Sequence, residues 1–465
     1  MTAELLAALR TIVGSKNLLH DPADCLPYGY DNSRREALPE AVLFPQDHAQ
    51  TLKIVRLCNQ HKIAITARGK GTGTTGATVP LFGGVVLSFE RMREIIKVDP
   101  ANRVMVVTPG VTNQEVQKAA GEHGFFWPPD PTSAAVCTIG GNLAYNSSGP
   151  RAVKYGTPRE NTLGLRAITG DGREIRCGVY TTKGVVGYDL TRLLIGSEGT
   201  LAIITEATLK LTPLPEAKRT LQAVYATIDD AAKAVSAIMA QAVVPCALEF
   251  IDGTAIEMIR NYSKSDLPKG AGAMLMIEVD GLSASLDDAA EKVSAAARND
   301  GLIELIAATT KAETQALWNT RKALSPALRN VAPKKINEDI VVPVSHLPEL
   351  TRGLQQLSKQ YNIPIVNFGH AGNGNLHTNL LLDPDDSQQM KDAEQCLDAV
   401  FNLVLKLNGT ISGEHGVGIV KRAYVAREID EVTLGLMRQI KQQFDPNGIL
   451  NAGKTLPDAK PPPQL

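Results

Sequence analysis

"ARGKGTGTTGATVPLF", residues 67–82, contains the pattern G-x-G-x-x-G at Gly71, Gly73 and Gly76, directly after the β-type run "KIAITAR". A dinucleotide fingerprint of that form needs a helix to open at the loop, so that its amino end faces a pyrophosphate. Here Pro80 follows four residues after Gly76, and "GGVVLSF" then reads as another strand. No helix fits, so a Rossmann domain is excluded. The loop still suits an anion. Its successive N–H groups are unobstructed at the glycines, the threonine hydroxyls add donors, and Arg68 and Lys70 lie close by, which makes a nest for a diphosphate.

Working outward, two further stretches have the same character. "PPDPTSAAVCTIGGNLAYNSSGPRAVKYG" (128–156) is rich in small and hydroxyl residues, which lets backbone approach a large flat ligand. "LIGSEGTLAIITEATLKL" places Gly196 and Gly199 just before a strand. Each is ordinary turn chemistry when taken alone. Short β-type runs fill the first 215 or so residues, interrupted by a helix after Asp47 and another at "TNQE", where Thr112 and Glu115 have capping-box spacing.

"LTPLPEAKR" (211–219) marks a boundary. Beyond it strands such as "CALEFID", "AMLMIEVD" and "NEDIVVP" alternate with helices from about Asp229, Ser283 and Ser345, an α+β pattern of antiparallel strands backed by helices. A long helix is expected over 387–407 and a last one at "TLGLMRQIKQQF".

The chain has 465 residues, enough for roughly three domains. Its 48 Lys plus Arg balance 49 Asp plus Glu, so no basic face for nucleic acid is evident in the total. The six cysteines lie dozens of residues apart, without zinc-ribbon or redox-motif spacing. The start reads as a short amphipathic helix and lacks the apolar core of a signal peptide. No run of about 18 apolar residues offers a transmembrane segment. A reducing, cytoplasmic setting is expected, with peripheral attachment to a membrane left open.

"FGHAGNGNLHTNLL" (368–381) sets His370 and His377 among Gly369, Gly372 and Gly374. The glycines disfavour a helix. The stretch reads as a strand, a sharp turn and a second strand, a turn able to bring both imidazoles to one point. Two histidines hydrogen-bonded in a loop is the alternative.

Together, "RGKGTGTTG", "TIGGNLAYNSSG", "IGSEGTLAIIT", "GHAGNGNLH", "SGEHGVGIVKR" and "LNAGKTLP" resemble the FAD-linked oxidases of the vanillyl-alcohol oxidase type. The last three resemble the D-2-hydroxyacid dehydrogenase branch, which includes D-lactate, D-2-hydroxyglutarate and glycolate dehydrogenases. The resemblance implies an FAD-binding domain of two subdomains (1–215), an α+β substrate and metal domain (216–420) and a carboxy-terminal segment returning to the flavin (421–465). It implies FAD contacts at Arg68, Gly69, Lys70, Gly71, Thr72, Gly73, Thr74, Thr75 and Gly76. Further contacts fall at Pro129, Asp130, Ser133, Gly140, Gly141, Asn142, Asn146, Gly149, Tyr155 and Gly156, then at Glu198, Gly199, Ile203, Ile204, Asn451 and Lys454.

By the same resemblance His370, His377 and Glu414 match the ligands of a divalent metal, and two imidazoles with a carboxylate suit zinc. His415 matches the catalytic base, and Arg321, Ser325 and Asn379 the substrate-binding groups. The expected reaction oxidises a D-2-hydroxy acid, D-lactate-like, to the 2-oxo acid, with hydride passing to FAD. D-2-hydroxyglutarate or glycolate is the alternative substrate, and a non-catalytic flavin subunit of a larger oxidase ranks below both. The electron acceptor is left open among quinone, cytochrome and electron-transfer flavoprotein, and there is room for a homodimer. Two departures stand out: Lys70 replaces the family's usual glycine, and Ala452 its usual proline. In the 2-hydroxyglutarate enzymes a lysine near "KINEDIVVP" helps to hold the second carboxylate; here Asn337 falls at that place, with Lys335 two residues back.

Overall fold

The computed structural model describes residues 1–263, 268–322, 324 and 334–458, with side chains at 261–263 and 320–322 outside the description. Two compact units emerge. One comprises Met1–Ser148, Gly156–Leu214 and Glu414–Leu465, and the other Gly149–Tyr155 and Pro215–Gly413.

In the first unit, strands Ala41–Leu43, Val85–Ser88 and Ile65–Arg68 run parallel, and Leu18–Leu19 adds an antiparallel edge to give four strands. The helix His48–His61 makes the crossover from Ala41–Leu43 to Ile65–Arg68, opened by the Asp47 side chain, which accepts from Gln50 N. All the residues of Val85–Ser88 are buried, as a parallel strand covered on both faces requires. A second, antiparallel sheet orders five strands as Ile95–Asp99, Val104–Val107, Ala202–Lys210, Thr162–Thr169 and Glu174–Gly178. The helix Asn113–Gly121 beside it carries the expected capping box between Thr112 and Glu115.

The helices expected after Asp47 and at "TNQE" are joined by a further one: Ile139–Tyr145 is a helix, with the Thr138 hydroxyl accepting from Gly141 N at 3.4 Å. Its glycines are poor helix formers, but a β-carbon at Gly140 would stand 2.7 Å from Pro109 Cβ. Close packing at this point outweighs propensity.

In the second unit the described residues form a seven-stranded antiparallel sheet. Its order is Leu302–Ala307, Ala217–Tyr225, Ala273–Gly281, Ala247–Asp252, Ile365–Gly369, Asn375–Leu382 and Lys334–Val341. Period-2 alternation divides its side chains between two cores. Val366, Phe368 and Leu381 join Ile256 and Ile259 of the helix Gly253–Ser263. Ile365, Leu380 and Leu382 join Ala393 and Cys396 of the helix Ser387–Lys406. Among the described residues no helix is long and apolar enough to cross a membrane.

Candidate flavin and metal sites

In the first unit, strand Ile65–Arg68 ends at the glycine-rich loop, and the chain from there to Val85 contains no helix, as expected. Among the described residues, no N–H from Lys70 to Thr74 donates to another protein group. A cleft lies beside the loop, and Arg68, Gly69, Gly140, Gly141, Glu198, Gly199, Ile203, Ile204 and Asn451 help to line it. Thr138, Tyr145 and Ser197 also line it and were not among the expected residues. Gly199 has a left-handed φ of +70°, and a β-carbon there would meet only Ala67 Cβ, at 3.8 Å, within that open space.

The two cations near the loop both have protein partners. The buried Arg68 guanidinium donates to the carbonyls of Tyr30 (2.7 Å) and Pro27 (3.2 Å) and to Thr78 Oγ1. Lys70 Nζ pairs with Glu90 at 2.8 Å on the surface. Asn142 and Asn146 are likewise tied into the framework. Asn142 donates to Ser147 Oγ, and Asn146 accepts from Thr157 Oγ1 and Arg159 N. Pro129 accepts from Asn113 Nδ2, Asp130 N donates to the Ser148 carbonyl, and the Ser133 carbonyl accepts from Cys137 N. Gly149 and Tyr155 belong to the second unit, where the Tyr155 hydroxyl donates to Asp280 Oδ2 at 2.7 Å.

Glu198, which helps to line the cleft, also holds a loop distant in sequence. Its carboxylate accepts from Val417 N at 2.6 Å and Gly418 N at 2.7 Å, and Thr75 Oγ1 donates to the His415 carbonyl at 3.3 Å. Burial pushes the Glu198 carboxyl up, while these N–H donors and Lys454 pull it back. The loop bearing His415 is thus pinned to the flavin unit from two sides. Lys454 lies deep in the same unit, where burial pushes its amine down to about 7, against the pull of Asp31 and Glu198. It donates to Asn451 Oδ1, and Asn451 in turn donates to the carbonyls of Ala77 and Glu198.

In the second unit, Ile365–Gly369 and Asn375–Leu382 are neighbouring antiparallel strands joined by a single 3₁₀ turn, as the glycines suggested. A β-carbon at Gly374 would stand 1.8 Å from the Val342 carbonyl oxygen. The turn brings His370 and His377, both buried, to a ring separation of 5.1 Å, edge to face. His370 Nδ1 lies 2.5 Å from Glu249 Oε1, a partner that no local sequence signal marks. Asp339, opposite His377 in the sheet, accepts from Ser412 Oγ and Gly413 N and so fixes the turn that leads into Glu414. Glu414 itself belongs to the first unit, where its carboxylate accepts from Ser148 N at 3.2 Å.

Asn379 is fully buried. It donates to the carbonyls of Val366 and His377 and accepts from Asn337 Nδ2 at 2.7 Å, which leaves no spare donor for the substrate expected there. Arg321 falls in the helix Lys311–Lys322 with its side chain outside the described residues, and Ser325 lies outside them altogether.

The family model described as FAD linked oxidases, C-terminal domain, matches residues 214–455, and that of an FAD binding domain matches residues 39–178. The glycolate oxidase subunit GlcD of Bacillus subtilis is 38% identical over 455 residues, covering 98% of this chain and 97% of that protein. The chain belongs to the FAD-linked oxidase family. A second relative of this FAD-linked oxidase, the D-lactate dehydrogenase of Archaeoglobus fulgidus, is 36% identical over 440 residues, 94% of this chain and 96% of that one. Among solved structures, p-cresol methylhydroxylase superposes with a TM-score of 0.78 at 18% identity, covering 98% of this chain and 96% of that one. For 4-ethylphenol oxidase from Gulosibacter chungangensis the values are 0.76 and 18%, covering 98% and 97%. The fold is the α+β fold of vanillyl-alcohol oxidase-type flavoproteins. FAD is this family's cofactor, and two features of the first unit suit it: the N–H groups of Lys70–Thr74, which no protein acceptor takes among the described residues, and the small residues Gly69, Gly140, Gly141 and Gly199 that line the cleft.

Proposed function

We propose that this FAD-linked oxidase takes a hydride from the carbon and a proton from the hydroxyl of the CH–OH group of a D-2-hydroxy acid, D-lactate or a similar monocarboxylic acid, and releases the 2-oxo acid. The observation that carries the reading is the buried pairing of His370 and His377, within a chain whose first unit has a flavin cleft. We assign a divalent metal, zinc by donor chemistry, to His370, His377 and Glu414. When bound, FAD supplies a two-electron acceptor and the metal supplies Lewis-acid polarisation of the hydroxyl.

The protein's own contribution is position and proton transfer. The His415 imidazole takes the substrate hydroxyl proton, and the Thr75 and Glu198 contacts to residues 415–418 keep its backbone in place. Arg321 is the proposed partner of the substrate carboxylate. The electron acceptor is a quinone, a cytochrome or an electron-transfer flavoprotein.

A short substrate is favoured by Asn337. By the resemblance Asn337 falls where the 2-hydroxyglutarate enzymes carry a lysine, and its uncharged amide, which donates to Asn379, would leave a second substrate carboxylate without a cation. Glycolate is the second reading, favoured by the 38% identity to the Bacillus subtilis glycolate oxidase subunit. Steady-state kinetics with an artificial acceptor on D-lactate, glycolate, D-2-hydroxybutyrate, D-malate and D-2-hydroxyglutarate tests the choice. The highest kcat/KM is expected on D-lactate or D-2-hydroxybutyrate. A tenfold advantage for D-2-hydroxyglutarate would overturn the short-substrate reading.

A further inference from the structure

Glu249 belongs to none of the glycine-rich or histidine motifs, yet it meets the metal-site histidine directly. Its strand, Ala247–Asp252, pairs antiparallel with Ile365–Gly369 through Phe250 opposite Gly369 and Ile251 opposite Phe368. Continuing that register by one residue sets Glu249 opposite His370. Both side chains are buried, at 2% and 8% exposure, and Oε1 lies 2.5 Å from Nδ1. A carboxylate at such depth is costly unless a donor satisfies it. Here the donor is the ring N–H, and a proton held on Nδ1 leaves Nε2 with the lone pair.

We infer that Glu249 is a positioning residue: it fixes the tautomer and ring orientation of His370 so that Nε2 is presented to a divalent cation. The inference rests on the metal reading above. Carboxylates behind metal-bound histidines act in this way in general, and their loss typically weakens metal affinity about 10- to 100-fold. The competing account is a buried ion pair that only supports the sheet.

The test uses full-length, FAD-loaded protein stripped of metal, titrated with Zn²⁺ against a chelator and with Co²⁺ by its visible d–d bands. Glu249→Ala is expected to weaken both metals about 10- to 100-fold and to alter the Co²⁺ bands. Glu249→Gln, whose amide oxygen still accepts from Nδ1, should fall between wild type and Glu249→Ala. Thermal unfolding without metal is measured alongside, since a purely structural Glu249 would lower that midpoint and leave metal affinity unchanged. Wild-type affinity and unaltered Co²⁺ bands in Glu249→Gln and in any folded Glu249→Ala would overturn the inference. Wild-type protein that binds neither metal would instead overturn the metal reading itself, and the two failures are distinct.

Discussion

At position 374 the chain turns back with φ +72°, and a β-carbon would stand 1.8 Å from the carbonyl oxygen of Val342, a backbone atom that cannot swing aside. Gly374→Ala is therefore expected to cost more than about 3 kcal/mol, read as a large drop in unfolding midpoint or loss of soluble protein. Gly448→Ala is the control. Its φ is +63° but no atom lies within 4 Å of the added carbon, so only about 1 kcal/mol of backbone strain is expected. Lys454 yields a second residue-scale expectation. Its folded pKa, about 7, lies below the ordinary lysine value of 10.5, so between these values the unfolded chain binds more protons. Its contribution to stability is complete above 10.5 and is lost as pH falls through about 7. Wild type should gain on Lys454→Met by about 1.4 kcal/mol per pH unit within that window. Denaturant unfolding of both proteins at pH 7.5, 8.5 and 9.5 measures the slope, and a flat difference would contradict it.

Among the elements, the loop 415–418 depends on a carboxylate more than two hundred residues away in sequence. Glu198 accepts from the N–H groups of Val417 and Gly418, and a β-carbon at Gly416 would stand 2.7 Å from Glu198 Oε1. Glu198→Ala leaves two part-buried or buried donors unmet, at about 1–3 kcal/mol each. The loop should loosen, and kcat should fall more than KM changes, because the backbone bearing His415 is no longer held. Turnover and flavin absorbance measured on the same sample check this. Unchanged kcat would mean that the loop needs no such anchor. Glu198→Gln keeps one acceptor and should lose less.

For the whole molecule, the proposed metal ligands His370 and His377 come from a different unit from the flavin cleft, which gives a separable outcome. Chelation, His370→Ala and His377→Ala should each abolish turnover and metal content while the protein keeps its yellow FAD. His415→Ala should keep metal and FAD and lose turnover by about 10²- to 10⁴-fold, the range for removing a general base. Elemental analysis with flavin absorbance distinguishes these cases, and full activity in chelated enzyme would remove the metal from the reaction.

Much of this was legible in the chain alone, wherever the deciding interactions are local. Pro80 and the β-type run after it ruled out a helix at the glycine loop, and Thr112 with Glu115 marked a helix start. The glycines around His370 predicted strand, turn and strand, because propensity and turn chemistry act within a few residues. The six motifs, in their order, named the family. The tertiary structure decided what each side chain touches. Arg68 was read as lying beside an anion; it does line the cleft, but the carbonyls of Pro27 and Tyr30, some forty residues away, hold two of its donors. Gly149–Tyr155 sits within a flavin motif, yet it packs with the second unit. Glu249 is invisible in sequence because its partner is 121 residues distant and is chosen by the register of one strand against another. Periodicity reveals that a strand has a buried face, but only the assembled sheet determines which residue of the next strand stands opposite.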